Sequence, residues 1–174
     1  MRGPQLGLYP PDRPMLHSAR VDPTSILVLR DPRESWKRCS LRPLREREDI
    51  EFVTWSEDLE LEVGRRVLLD PTAPVLTAAD RGHGLFVIDC SWRRLERIGR
   101  AVVDAPLRRA LPPLKTAYPR RSTTFDDPTE GLATVEALFA AAVLLGRPDP
   151  TLLAGYRFTA DFLAANPGLA GADG

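Results

Sequence analysis

The sequence has little of several residue types that build recognisable sites. It contains two cysteines, two histidines and only two lysines among its 24 basic residues. Cys39 and Cys90 lie too far apart to form a metal-ligand motif. His17 and His83 do not complete one, so the sequence predicts no metal site.

Excess charge and long apolar runs are lacking as well. The 24 acidic residues balance the 24 basic ones, so net charge indicates no particular partner. No apolar run is long enough to span a membrane, and no signal-peptide pattern is present. These absences predict a cytoplasmic protein with no membrane partner. The excess of arginine over lysine is explained most simply by a GC-rich genome, although clustered arginines also bind phosphate well.

The length of 174 residues suits one domain. Residues 1–22 are rich in proline, glycine and arginine, which predicts an irregular N-terminal arm before a single α/β domain over residues 23–168. Apolar runs bounded by turn residues predict strands within 25–32, 49–55, 64–74 and 84–90. A short helix or turn is predicted over 36–49 and a short helix over 76–82, and longer helices follow the last strand. Because helices alternate with the strands in this way, we expect a largely parallel sheet flanked by helices.

Two helices are predicted from their caps and periodicity. The first is capped by Ser91 and stopped by Pro106, and its apolar stripe consists of Trp92, Leu95, Ile98, Val102 and Val103. The second is capped by Asp127, with Pro128 at its first position. Residues 107–127, between the two helices, are predicted to form a long irregular connection of the kind that is often functional.

Asp89 ends the most apolar predicted strand, "GLFVIDC". In parallel sheets, ligands bind at the carboxyl ends of strands, so Asp89 is a candidate site residue. The alternative is that its carboxylate caps the helix that follows. Trp92 is a core residue or a ligand contact, and its position alone favours the core.

Four sequence blocks together resemble a known family. "VIDCSWRRL" resembles the Asp-Cys-Ser-Trp signature of the small-subunit rRNA aminocarboxypropyltransferases, which are ribosome-biogenesis enzymes. The other blocks follow the order of that family: "DPRESWKRCSLRPL", "VLLDPTAPVLTAADR" and "GLATVEALFAAAVLLG". With a weaker match at "FTADFLAAN", the resemblance extends over about residues 25–166.

The resemblance implies a SPOUT-like fold with a C-terminal trefoil knot. It implies S-adenosyl-L-methionine (SAM) as cofactor and transfer of its 3-amino-3-carboxypropyl group to a ring nitrogen of uridine or pseudouridine. The expected partner is RNA, either rRNA or a pre-ribosomal particle. The family pattern favours a monomer over a dimer.

The resemblance also implies which residues bind the cofactor: Ser40, Leu69, Ile88, Asp89, Trp92, Leu111 and Thr134. Asp89 would contact the amino-acid end of SAM and could act as the catalytic base. Trp92 would bury the methyl group, while backbone atoms of the leucines and of the isoleucine would hold ribose and adenine. Ser40 and Thr134 would bind the carboxypropyl arm, although without the family both are ordinary local hydrogen-bonding residues.

One segment departs from the family pattern. The family usually has Ala-Asn-Pro-x-Asn-Tyr-Gly after a leucine-proline turn, where this chain reads "KTAYPRRSTTFDDP". Tyr118, Arg120 and Arg121 occupy this segment, and they would stack on and bind unpaired RNA. Lys37 and Arg38 are further candidates for RNA contact. The alternative for the segment is a solvated loop, and its changes leave the RNA target open.

Two other functions fit the same residues. One is a SPOUT-type RNA methyltransferase, which Trp92 disfavours because it would occupy the place of the methyl group. The other is a non-catalytic RNA-binding factor for ribosome assembly. Reaction products distinguish them, because aminocarboxypropyl transfer releases methylthioadenosine and methyl transfer releases S-adenosylhomocysteine.

Overall fold

The computed structural model of the protein describes residues 25–37, 39–119 and 131–170. Five strands there form one sheet: β1 (Ile26–Arg30), β2 (Ile50–Thr54), β3 (Arg66–Leu69), β4 (Gly84–Asp89) and β5 (Leu107–Arg109). Their order is β2-β1-β4-β3-β5, and every neighbouring pair is parallel. The predicted α/β class with a parallel sheet is therefore confirmed. The arm predicted over residues 1–22 lies outside the described residues.

Short helices connect and cover the strands. The α-helices are α1 (Leu95–Gly99), α2 (Thr134–Leu144), α3 (Thr159–Ala165) and α4 (Pro167–Ala170). Single 3₁₀ turns occupy Arg42–Leu44, Ala78–Asp80, Trp92–Arg94 and Pro150–Leu153. In the described ranges no helix is both long enough and apolar enough to cross a bilayer.

The sheet separates two apolar cores. Within β1, Ile26 and Val28 join the core beneath α2, whereas Leu27 and Leu29 join a second core on the opposite face. This division follows from the strand geometry, because successive side chains point to opposite faces. Strands covered on both faces need continuous apolar runs, which is the pattern that the sequence has at β1 and β4.

Strand β5 was not predicted, because residues 107–127 were assigned to an irregular connection. Leu107 pairs with Val67 and Arg109 with Leu69, so β5 forms the edge of the sheet next to β3. The strand is only three residues long and contains two arginines. It has neither a run of apolar residues nor an alternation of apolar and polar residues, so the sequence does not predict a strand there.

The helix predicted from Ser91 to Pro106 is much shorter in the structure. Ser91 makes no side-chain cap, and α1 ends at Gly99. Beyond α1, the Leu61 N–H donates to Ala101 O at 2.7 Å and the Val103 N–H donates to Leu61 O at 3.0 Å. Pairing with this neighbouring segment replaces further helical turns, and Val103 is 54% exposed instead of lying on an apolar stripe.

The second predicted helix begins later than its expected cap at Asp127. Ala133 has extended backbone, and the helix α2 starts at Thr134. The carboxylate of Glu136 accepts the Ala133 N–H at 2.8 Å, so the side chain at the third helical position caps the first turn. Asp127 and Pro128 lie outside the described residues.

A buried ion pair fastens β5 to the turn before β4. The Asp80 side chain is 4% exposed, and it accepts hydrogen bonds from Arg109 Nε at 3.0 Å and from the Thr77 N–H at 2.9 Å. Burial alone would raise the pKa of Asp80, but the Arg109 guanidinium and the Thr77 amide outweigh it and hold the pKa below its ordinary value.

Asp80→Asn is expected to destabilise the protein at pH 7 by about 3 kcal/mol, because it leaves the Arg109 charge without its partner. A lowered folded-state pKa stabilises the fold above the unfolded pKa of about 3.9. That contribution is lost as the pH falls through the folded pKa. Urea unfolding between pH 7 and pH 2 should therefore show a free energy of unfolding that falls less steeply with decreasing pH in Asp80→Asn than in the parent.

Asp58→Asn, at an exposed position, is the matched control and should unfold like the parent. If the free energy of unfolding falls equally steeply with decreasing pH in Asp80→Asn and in the parent, the role given to the Asp80–Arg109 pair is contradicted.

Candidate active site

The carboxyl ends of β3 and β4 open into a cleft of about 1130 Å³. Arg30 and Asp89 are the last residues of their strands and are register partners. Residues from the 36–44 segment, from the turn after β4 and from the start of α2 complete the cleft. The strand ends therefore form a concave site, as expected for a parallel sheet.

Asp89 lies in the floor of this cleft, and its side chain is 12% exposed. Its Oδ1 accepts a hydrogen bond from Thr134 Oγ1 at 2.9 Å. Its Oδ2 lies 3.3 Å from Arg30 Nε and 3.5 Å from Cys39 Sγ. Three elements thus fix the carboxylate, which lets it present a defined negative charge to a ligand. The partners of the carboxylate lie on α2, on β1 and in the 36–44 segment, which places Asp89 in the cleft and not in the alternative role of a helix cap.

Arg30 was not predicted as a site residue. It is buried, its guanidinium stacks on the Trp36 ring at 3.9 Å, and its Nη2 donates to Glu34 O at 2.6 Å. Trp36 in turn packs edge-on against Phe52, with ring centroids 5.4 Å apart. In the sequence, Arg30 falls within the strand predicted over residues 25–32 and was given no role. The available signal was a charged residue closing an apolar strand just before Asp-Pro.

Ser40 and Thr134 meet at the start of α2. Thr134 is the first residue of the helix, and the Val135 N–H lies 3.4 Å from Ser40 Oγ. Both hydroxyls line the cleft close to Asp89. The start of this eleven-residue helix carries the positive end of the helix dipole, which favours a carboxylate. The site therefore contains acceptors for an ammonium group beside donors for a carboxylate.

Trp92 stands between the main cleft and a second cavity of about 730 Å³. It is half-buried in the 3₁₀ turn that follows β4. Leu69 also borders both spaces, whereas Ile88 lines the main cleft and Leu111 lines the second cavity. The apolar residues predicted from the resemblance therefore surround the boundary between two adjoining spaces.

The two cysteines flank Asp89 in the same cleft. Burial, with the Asp89 charge adding to it, raises the pKa of Cys39 to about 11. Burial and the Asp31 and Asp89 charges raise the pKa of Cys90 to about 12. Both thiols are therefore protonated at neutral pH and are poor nucleophiles. Covalent chemistry through cysteine is disfavoured in this cleft.

The residues predicted to contact RNA are only partly described. Lys37 and Tyr118 line the main cleft. The Tyr118 ring packs edge-on against Phe158, with centroids 6.0 Å apart. Arg38, Arg120 and Arg121 lie outside the described residues, so their assignment stays a prediction.

A wall of the cleft comes from a segment that sequence reasoning did not assign to the site. Arg42 lines it from the first 3₁₀ turn, while Tyr156, Arg157 and Phe158 line it from the segment before α3. The signal was present in "GYRF", an arginine between two aromatic residues. It was missed because only the fold brings this C-terminal segment close to Asp89.

Glu136 is wholly buried and joins three segments behind the cleft. Its carboxylate accepts hydrogen bonds from Thr116 Oγ1, Ala117 N, Ala133 N and Tyr156 Oη at 2.7–2.9 Å. Burial and the nearby carboxylate raise the pKa of Tyr156, so its hydroxyl stays a donor. Glu136 therefore has a structural role behind the cleft.

Comparison with known proteins gives a consistent set of similarities. The structure resembles that of the SAM-dependent rRNA:acp-transferase from Vulcanisaeta distributa, with a TM-score of 0.65 and 27% sequence identity over 86% of this chain and 82% of that chain. The chain is also 34% identical over 108 residues to the 16S rRNA aminocarboxypropyltransferase of the same organism. That alignment covers 58% of this chain and little more than half, 56%, of the relative.

A family model confirms the resemblance found in the sequence. The model described as "Ribosome biogenesis protein, C-terminal" matches residues 67–170, a range that includes β4, β5, α2 and all of β3 except its first residue. The match covers well over half of the chain and contains Asp89, Trp92 and Thr134. The chain therefore belongs to this family of ribosome biogenesis proteins.

Proposed function

We propose that the protein transfers the 3-amino-3-carboxypropyl group of SAM to a ring nitrogen of a uridine or pseudouridine in rRNA. The observation that carries the proposal is the convergence of Asp89, Thr134, Ser40 and Trp92 on one cleft. The names of the two relatives describe an enzyme of this kind acting on rRNA. The cofactor supplies an electrophilic carbon next to its sulfonium, and methylthioadenosine leaves.

The polar residues suit the amino-acid end of SAM. Asp89 holds the ammonium group, because a carboxylate fixed on both oxygens needs no rearrangement to accept it. Ser40, Thr134 and the positive end of the α2 dipole hold the carboxylate. This pairing of opposite charges sets the direction in which the arm lies.

The apolar residues suit the remainder of the cofactor. Trp92 covers the methyl group and favours the sulfonium charge through its ring face. Backbone groups of Leu69, Ile88 and Leu111 hold ribose and adenine at the boundary between the main cleft and the second cavity. Orientation is the main catalytic requirement, because the attacking nitrogen must approach the carbon in line with sulfur. Asp89 then remains the candidate acceptor for the proton of that nitrogen.

Calorimetry with SAM, S-adenosylhomocysteine and methylthioadenosine tests the cofactor assignment. We expect micromolar binding of SAM. Activity is then tested by incubating the protein with rRNA and with SAM that carries distinct labels in its carboxypropyl and methyl groups. The proposal predicts that only the carboxypropyl label enters the RNA. Methyl transfer would indicate a methyltransferase, and RNA binding without either transfer would indicate a non-catalytic assembly factor.

Trp92→Ala is expected to weaken SAM binding about tenfold or more. Burial of a large apolar side chain contributes about 1.5–3 kcal/mol, and a cation–π contact adds to that. Trp92→Phe keeps a flat apolar ring and should retain most of the affinity. Calorimetry on both variants measures the difference, and label transfer shows whether Trp92→Ala releases the methyl group. If Trp92→Ala binds SAM and transfers the carboxypropyl label as the parent does, the methyl group of SAM does not lie against Trp92.

The finer features of the fold and assembly belong to the same proposal. Residues 23–168 form one SAM-binding domain, the fold is SPOUT-like, and its C-terminal part contains a trefoil knot. The parallel five-stranded sheet and its likeness to the structure of the Vulcanisaeta distributa protein support a fold shared with that protein. A crystal structure traced through residues 120–130 tests the knot. The protein is a cytoplasmic monomer, which light scattering and cell fractionation would test.

A further inference from the structure

The main cleft and the second cavity together offer more space than a cofactor of drug-like size needs, since sites for such molecules measure about 300–1,000 Å³. The cofactor residues proposed above occupy the floor of the cleft and the boundary at Trp92. Arg157 and Phe158 lie on a different wall of the cleft. That wall is therefore available to a second molecule bound at the same time as SAM.

This wall is held rigidly against the first 3₁₀ turn. Gly155 has a φ of 75°, and a Cβ atom there would lie 3.0 Å from Pro43 Cβ. Only glycine fits this left-handed close contact without strain. Nearby, Arg47 Nη2 donates to Asp149 Oδ2 at 2.7 Å, and Arg47 Nη1 donates to Thr151 Oγ1 at 2.5 Å. Arg42 and Arg157 therefore border one cleft from two turns that are fastened together.

The side chain of Arg157 is exposed and oriented by an aromatic platform. Its guanidinium lies over the Phe158 ring at 4.7 Å. Phe158 packs edge-on against Tyr118 and Tyr156, with centroids 6.0 Å and 5.7 Å away. A guanidinium on such a platform loses less freedom when it binds a planar or tetrahedral anion. Lys37 and Arg42, also exposed and lining the cleft, add positive charge.

We propose that Arg157 binds a backbone phosphate of the RNA strand whose nucleotide enters the cleft, and that Phe158 positions it. The inference rests on the proposed function, because it takes RNA as the second substrate. A phosphate is the expected anion, because RNA carries one on every nucleotide and the carboxylate of SAM is assigned to the start of α2. Arg157 is then a substrate-binding residue that fixes the register of the strand over the cofactor.

Arg157→Gln tests this proposal, with Arg100→Gln as the matched control. Arg100 is also exposed, but it pairs with Glu96 on α1 and does not line the cleft. The probe is a fluorescein-labelled single-stranded oligouridylate of twelve nucleotides, titrated at several salt concentrations. A parallel titration by calorimetry measures SAM binding to the same proteins.

We expect Arg157→Gln to weaken oligonucleotide binding about threefold to tenfold. It should lower the slope of log K against log salt by about 0.7, the value for one phosphate contact on a single strand. SAM affinity should stay within about twofold of the parent, and Arg100→Gln should change neither quantity. Phe158→Leu, which removes the platform but keeps the charge, should lower the affinity with little change in slope.

The outcomes separate this inference from the proposed function. Unchanged oligonucleotide binding and salt slope in Arg157→Gln would overturn the inference, as would a parent protein that binds SAM but not the oligonucleotide. A loss of SAM affinity in Arg157→Gln would reassign the arginine to the cofactor and also overturn it. If oligonucleotide binding depends on Arg157 while no protein binds SAM, the inference stands and the proposed enzyme activity fails.

Discussion

Replacing Asp89 by asparagine is expected to weaken SAM binding by tenfold to a hundredfold and to reduce transfer at least as much. The amide cannot offer a negative charge to the ammonium group, and a hydrogen bond to a charged group contributes about 1.5–3 kcal/mol. The same change leaves the Arg30 guanidinium buried without its carboxylate partner, which costs about 3 kcal/mol of stability. Calorimetry and urea unfolding measure the two effects separately.

A double variant separates binding from folding. Asp89→Asn combined with Arg30→Met removes both buried charges, which is far less costly than breaking the pair. We expect its free energy of unfolding to recover towards that of the parent, while SAM affinity stays low. Asp161→Asn, at an exposed position on α3, should leave both quantities unchanged. Recovery of SAM affinity in the double variant would show that Asp89 does not contact the cofactor.

Glu136→Gln is expected to cost about 3–5 kcal/mol of stability. The parent carboxylate accepts four hydrogen bonds inside the protein, and an amide nitrogen in its place would face donors instead of offering them an acceptor. The backbone N–H that faces the amide nitrogen loses its buried acceptor, the hydroxyl beside it must rotate, and the remaining bonds lose a charged acceptor. For a chain of this size the unfolding temperature should fall by about 10 °C. Urea and thermal unfolding measure the loss.

Two further variants provide reference values for the loss of stability in Glu136→Gln. Tyr156→Phe removes one donor and leaves three, so we expect a loss of about 1 kcal/mol. Glu96→Gln changes a carboxylate that is 84% exposed, and it should have almost no effect. If Glu136→Gln is as stable as Glu96→Gln, then the buried carboxylate does not join the 116–117 segment to α2 in solution.

The fold was predictable where burial leaves a pattern in the sequence. Continuous apolar runs located β1 and β4, because both of their faces are covered. Strand β5 was missed, because an edge strand of three residues with two arginines has no such pattern. The start of α2 was placed too early, because the Asp-Pro signal at residue 127 outranked the capping carboxylate of Glu136. Local signals of similar strength compete, and only tertiary contacts decide between them.

The candidate site followed from topology and from the family resemblance. The end of an apolar strand pointed to Asp89, and the resemblance supplied Ser40, Trp92 and Thr134. Arg30 and Arg157 could not be found in this way. Arg30 matters because β1 lies next to β4 in register, and Arg157 matters because Gly155 lets its turn approach Pro43. Both depend on contacts between residues far apart in the sequence.

The edges of the sheet bear on how copies of the protein meet. At one edge, β5 offers only three residues, and Arg108 is exposed there. At the other edge, β2 exposes Glu51 and Thr54. Short strands and charged side chains discourage pairing between the sheets of two molecules, which is a common route to fibrous aggregation. We therefore expect the folded protein to remain dispersed at high concentration, and any self-association to proceed through its helices rather than by extension of the sheet.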